Sequence, residues 1–317
     1  MSPAPGERYG AGASANGGPA PVELCGVSLA HPILNGSGTF DAIAARRAFG
    51  DALLERFPFS AFVSKTITVH PRAGNPPPRL WETPAGMINS IGLPNKGLEG
   101  FLARDLPLLA ELPVPLAVSV MGFSLDELAR LVEEVGARHE VAVLELNVSC
   151  PNVKTGLIMG ADPAETAAAV RRLRPLTGKP LIVKLTPNAA DPAAVAAAAE
   201  SEGADAVALI NTLKGMAFHP GTSDPWLGGG TGGVSGPAVR AVALQQVASV
   251  AARVGLPVIG MGGISTGADA LEFLAAGATC VAVGTENFRD PGAGRRIAGQ
   301  MRPSQGAKGV ASTYSGS

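Results

Sequence analysis

Short apolar and β-branched runs recur along the chain, several of them introduced by proline: PIL at 32–34, AFVSKT at 61–66, PLAVSV at 115–120 and VAVLELNVS at 141–149. Four more follow, LIVKLT at 181–186, AVALINT at 206–212, PVIGMG at 257–262 and CVAVGT at 280–285. Within these runs apolar and polar positions scarcely alternate, the pattern of parallel strands covered on both faces. Between the runs the period becomes helical. Ser124 and Glu127 form a capping box ahead of Leu125, Leu128, Leu131, Val132 and Val135, and Asp162, Pro163 and Glu165 open a second helix in the same manner. GADAVALINT at 203–212 and GATCVAVGT at 277–285 repeat one unit, a helix end running into a strand. Eight strands with interleaved helices predict an α/β chain folded as a (β/α)8 TIM barrel, with an open doubly wound sheet as the alternative.

Composition narrows the function. The chain of 317 residues is 46% hydrophobic and 16% charged, and its formal net charge of −1 gives no nucleic-acid footprint. Cys25, Cys150 and Cys280 are too few and too far apart for a disulfide framework or a clustered metal site, so a reducing, cytoplasmic setting is expected, with no metal. No run approaches the roughly 18 uninterrupted apolar residues of a membrane span. Residues 1–20 and 301–317, rich in Ala, Gly, Ser and Pro or polar without helical period, read as disordered tails around one domain at 21–300.

In a barrel, chemistry belongs where the strands end. Lys65 and Thr66 close the second predicted strand, Asn147 and Cys150 follow the fourth, Lys184 lies in the fifth, and Asn211 and Thr212 close the sixth. Gly262 and Gly263 follow the seventh strand, Gly284 and Thr285 the eighth. Glycines there serve either a tight strand-to-helix turn or backbone N–H approach to a phosphate; at two adjacent strand ends together they favour the phosphate. Lys65 and Lys184 need an anionic partner if buried, or else reach the rim and water. Cys25 and Cys280 read as small buried hydrophobes. Cys150 sits in a Ser-Cys-Pro turn with Asn147 and Asn152 nearby, and a thiol, ordinarily near pKa ~8.5, serves as a base where cationic groups lower that value. His31, His70, His139 and His219 lack metal-ligand spacing and read as surface or structural residues.

The motifs GMINSIGLPNKGLE (86–99), ELNVSCPNVKTG (145–156), LIVKLTPN (181–188), LINT (209–212), GGVSGPA (232–238), IGMGGI (259–264) and VAVGT (281–285) resemble, in order and spacing, those of the dihydroorotate dehydrogenases, over about residues 22–298. That resemblance implies an FMN-binding barrel, a flavoprotein oxidoreductase that oxidises (S)-dihydroorotate to orotate in pyrimidine (UMP) biosynthesis. A cysteine base and the segment HPRAGNPPPRLWETPAGMINSIGLPN (70–95) are most similar to class 1B, which implies a homodimeric core with an FAD- and 2Fe–2S-bearing electron-transfer subunit, a heterotetramer passing electrons to NAD. The resemblance makes Cys150 the base toward C5 of dihydroorotate, with hydride passing from C6 to FMN N5. It places Lys65, Asn89, Ser90, Ile91, Gly92, Leu93, Asn147, Asn152, Asn211 and Thr212 around the substrate. Ser37, Lys65, Thr66, Ser119, Asn147, Lys184, Ile210, Gly236, Gly262, Gly263, Gly284 and Thr285 match flavin-contacting positions, although Ser119 stands where relatives usually carry asparagine. Lys96 replaces a proline frequent in class 1B. The rival readings are a fumarate-linked class 1A enzyme, a dihydropyrimidine dehydrogenase-like reductase, and a flavin- or phosphate-binding barrel without turnover. The stretch 213–235 is long for a structureless connection and reads as a lid or a disordered loop, with Phe218 and Trp226 either covering the pocket or packing on the rim.

Overall fold

The computed structural model describes residues 19–148 and 159–301. Its centre is an eight-stranded parallel sheet of β1 (Ile33–Asn35), β2 (Phe62–Val63), β3 (Leu116–Val120), β4 (Val141–Asn147), β5 (Leu181–Lys184), β6 (Ala206–Leu209), β7 (Val258–Met261) and β8 (Cys280–Val283). All eight predicted strands are present, seven of them shorter than their apolar runs and the first, Ile33–Asn35, displaced by one residue from PIL. Neighbours follow chain order from β2 to β8, and β8 returns to β1 with Val281 opposite Ile33 and Val283 opposite Asn35. An open doubly wound sheet would not bring its last strand to its first. Closure between β1 and β2 leans on side chains: Asn35 bonds the Val63 backbone through both amide atoms, and Ser60 gives both its N–H and its Oγ to the Ile33 carbonyl, each at 3.0 Å.

The helices lie outside because their apolar stripes need the barrel wall. Leu125–Gly136 buries Leu128, Leu131, Val132 and Val135. Ser124 caps it by accepting from the Glu127 N–H, but the Glu127 carboxylate reaches past the cap to the Phe123 N–H, 2.8 Å away. The reciprocal capping box belongs instead to Thr266 and Asp269, at the head of Gly267–Ala275. Asp162 caps Pro163–Leu173 as predicted.

Two additions close the barrel's ends. Below, a hairpin of Val22–Leu24 and Val27–Leu29 buries Leu24 and Leu29 against the barrel interior. Above, Leu80–Thr83, Gly86–Asn89, Gly232–Ser235 and Leu213–Gly215 form a four-stranded antiparallel roof. The expected loop 213–235 thus begins and ends in sheet: Leu213 pairs Val234, which in turn pairs Ile88. Trp226 packs on Trp81 with ring centroids 4.0 Å apart, while Phe218 is exposed.

Among the described residues no helix is long and apolar enough to cross a membrane. Most of the two predicted tails lies outside the described residues; Met301, counted with the second, is buried at the end of the last helix, Ala293–Gln300.

Candidate active site

Between the strand C-termini and the roof lies an open cavity of about 350 Å³. Each strand end contributes to it. Ser37 follows β1, Lys65 and Thr66 follow β2, Asn147 and Lys184 end β4 and β5, and Ile210, Asn211 and Thr212 follow β6. Gly262 and Gly263 after β7 and Gly284 and Thr285 after β8 form one wall, completed by Gly236. From the roof and its approaches come Asn89, Ile91 and Leu93.

The glycine wall fits an anion. Among the described residues the N–H groups of Gly262, Gly263, Gly284 and Thr285 make no hydrogen bond, so four backbone donors from two adjacent strand ends are left for a ligand. Gly263 has φ +76°, and a Cβ there would stand 2.8 Å from the Gly236 carbonyl oxygen, so the close approach of these turns requires glycine. Thr285 Oγ1 donates to Ser235 Oγ at 2.8 Å, tying this wall to the roof. Met87, Val234 and Met261 add apolar surface suited to a flat ring. This donor set fits the phosphate and ring of a flavin mononucleotide.

The two lysines differ. Lys184 is buried; its Nζ bonds Ser37 Oγ at 2.8 Å and lies 3.7 Å from Glu145 Oε1, an equally buried carboxylate oxygen with no hydrogen-bond partner. Lys65 is exposed to the cavity, so only Lys184 carries the burial cost the sequence suggested.

Amides supply the pyrimidine-like recognition surface. The buried Asn147 donates to Thr66 Oγ1 at 3.4 Å, and Thr66 shares a 2.9 Å bond with Ser119. Ser119 is fully buried behind Thr66 and does not line the cavity, contrary to its expected place beside the flavin. Asn89 Nδ2 donates to the Gly233 carbonyl at 3.2 Å, and Asn211 Oδ1 accepts from the Thr212 N–H at 2.8 Å. Ser90 and Gly92 also stand behind the wall. Ser90 Oγ accepts from Asn75 at 2.9 Å and the Gly92 carbonyl accepts from Arg72 at 3.3 Å, so both brace the loop that presents Ile91 and Leu93. Cys150 and Asn152 lie outside the described residues.

The other thiols sit at the opposite end of the barrel. Burial, with the Asp205 carboxylate adding to it, pushes Cys25 up to about 11, and burial pushes Cys280 up to about 12 with Cys25 next to it. Neither is poised for chemistry. Burial also holds His31 below its ordinary value, and its Nδ1 accepts from the Ile33 N–H at 3.3 Å. Among the described residues no group of three or more His, Cys, Asp or Glu is arranged for a metal.

Sequence reasoning missed Glu145 and Ser235. Glu145 had a signal, an acid inside the apolar strand VAVLELN; Ser235 had none, because only the roof, folding back over the barrel, brings it to Thr285.

Comparison with known proteins bears on this geometry. A family model described as dihydroorotate dehydrogenase matches residues 20–303. The "Dihydroorotate dehydrogenase B (NAD(+)), catalytic subunit" of Geobacter sulfurreducens is 45% identical over 294 residues, covering 92% of this chain and 94% of that one. The protein of the same description from Desulforudis audaxviator is 48% identical over 284 residues, covering 88% and 90%. Among solved structures, "DHODH in complex with ferulenol" from Eimeria tenella superposes with a TM-score of 0.72 over 89% of this chain and 83% of that one; at 22% identity it speaks to the fold alone.

Proposed function

The chain belongs to the dihydroorotate dehydrogenase family of FMN-binding oxidoreductases, and from that premise we propose that it is the catalytic subunit of an NAD-linked enzyme oxidising (S)-dihydroorotate to orotate. The observation that carries this reading is that Lys65, Asn89, Asn147, Asn211 and Thr212 line the same cavity as the four free glycine-wall amides. A phosphate-bearing cofactor and a small planar substrate therefore share one chamber.

When bound, FMN supplies the hydride acceptor. Gly262, Gly263, Gly284 and Thr285 would hold its phosphate through backbone N–H groups, and Lys184 would offer an ammonium to the negative charge gathered on reduction. Lys65, free in the cavity, takes the substrate carboxylate, while the asparagine amides match the ring's carbonyl and N–H groups. Asn147 is held by Thr66, which Ser119 holds in turn, so Ser119 acts on the site through that chain. Cys150 takes the proton from C5 and Asn152 joins the substrate contacts. The reading is completed by one FMN-binding domain over 21–300 and a homodimeric core with an FAD- and 2Fe–2S-bearing partner in the cytoplasm; the relatives' description as NAD(+)-linked catalytic subunits supports an electron-transfer partner.

The test is an anaerobic assay with dihydroorotate and either NAD or fumarate, with and without the co-expressed electron-transfer subunit. NAD reduction that requires the partner supports the reading; turnover with fumarate by the isolated chain would replace it with the class 1A alternative. A Cys150→Ala variant should keep its yellow flavin and lose most flavin reduction by dihydroorotate at neutral pH, and unchanged rates would remove Cys150 from the mechanism.

A further inference from the structure

Glu145 is a buried acid for which the reaction described above has no use. β4 carries Asn147 in register with Lys184 and Glu145 in register with Ile182, so Glu145 stands one layer below the cavity floor. The cavity above is lined by Lys184 and Met261 but not by Glu145. Glu145 instead lines a void of about 20 Å³ deeper in the barrel, among Val63, Ala117, Val143, Ile182 and Ile259. Lys184 supplies its one charged neighbour among the described residues, at 3.7 Å, beyond hydrogen-bond length.

The pair is poorly built for stability. Two charges taken out of water are compensated only when hydrogen bonds satisfy them, and Glu145 Oε1 has none. Lys184 gives its good hydrogen bond to Ser37 and keeps donors for the cavity. An apolar layer does not screen the carboxylate, so its field reaches whatever Lys184 touches above it.

Resting on the flavin reading of this cavity, we propose that Glu145 is a positioning residue: a fixed counter-charge beneath Lys184 that opposes the negative charge gathered by the cofactor on reduction. Lys184 alone would draw the potential of the bound flavin upward. Glu145 offsets that pull and keeps the reduced cofactor a strong enough donor to pass electrons onward. Its acid group serves through charge, since it does not line the cavity and its Oε1 accepts no hydrogen bond.

The experiment is a dye-equilibrated reductive titration at pH 6.5 of the flavin-loaded wild type, Glu145→Gln and Glu145→Asp, which needs no substrate. Glu145→Gln should favour reduced over oxidised flavin about tenfold more than wild type, a positive shift of about 30 mV for a two-electron couple. Glu145→Asp, which keeps the charge but shortens the side chain, should stay within about threefold of wild type. A neutral variant with unchanged potential, or the two variants shifting alike, would overturn the proposal in favour of a packing role. If Glu145→Gln does not fold, Glu145→Asp at wild-type potential together with Glu145→His shifted positive makes the same discrimination. Wild-type protein that binds no flavin would instead refute the reading of the cavity itself.

Discussion

The side-chain amide of Asn35 stands where a strand residue would stand against Val63: Nδ2 donates to the Val63 carbonyl at 2.8 Å and Oδ1 accepts from the Val63 N–H at 2.9 Å. The barrel is therefore closed at its β1–β2 seam by a side chain that is itself fully buried. Asn35→Ala should cost about 2–4 kcal/mol, because two buried backbone groups lose their partner at once. Urea unfolding monitored by circular dichroism measures it, and a loss under about 1 kcal/mol would mean that the Ser60–Ile33 bonds, not Asn35, carry the seam.

Lys184→Met should remove the ammonium and leave Glu145 uncompensated in the core, lowering stability by about 3–5 kcal/mol and weakening FMN retention. Adding Glu145→Gln to that variant should return most of the stability without returning the flavin. Denaturant midpoints and the flavin-to-protein absorbance ratio separate the two effects; a double variant no more stable than the single one would contradict the pairing.

Alkylation should distinguish the thiols. With Cys25 near 11 and Cys280 near 12, their thiolate fractions at pH 8 are about 0.1% and 0.01%. Native protein treated with iodoacetamide should leave Cys25 and Cys280 unmodified, and acquire adducts on both only on unfolding. Peptide mass spectrometry reads the sites, and rapid modification of Cys25 in folded protein would contradict the environment described for it.

His31 should make the fold sensitive to mild acid. Burial lowers its folded value below the ordinary 6.5, so the unfolded chain binds more protons in that window; its contribution is whole above about 6.5 and is lost as pH falls through the folded value. Protonation at Nδ1 also removes the acceptor for the Ile33 N–H. His31→Asn should flatten the fall in urea midpoint between pH 7 and pH 5, and a slope equal to that of wild type would assign the acid sensitivity elsewhere.

The barrel was legible because buried parallel strands write themselves as uninterrupted apolar runs, and each of the eight runs overlaps its strand. The glycine wall was legible for a similar reason, since only a strand end that must approach a ligand or turn sharply carries Gly262-Gly263 and Gly284. The roof was not. Its strands are short, glycine-rich in Gly232–Ser235, and paired across long stretches of chain, so no local period announces them. Asn35 and Glu145 escaped because what gives each its role is a partner from another strand. Ser90, Gly92 and Ser119 were assigned to the ligand by resemblance, whereas sequence proximity to cavity residues says nothing of which side of the wall a side chain takes.

The stacked indoles on the roof have a practical corollary. Trp81 and Trp226 are the chain's two tryptophans, and their rings touch where the segment before Gly86–Asn89 meets the segment before Gly232–Ser235. Tryptophan emission, excited on the red edge where tyrosine does not absorb, thus originates from a single spot on the lid, giving the molecule a built-in optical gauge of movement there without an attached dye.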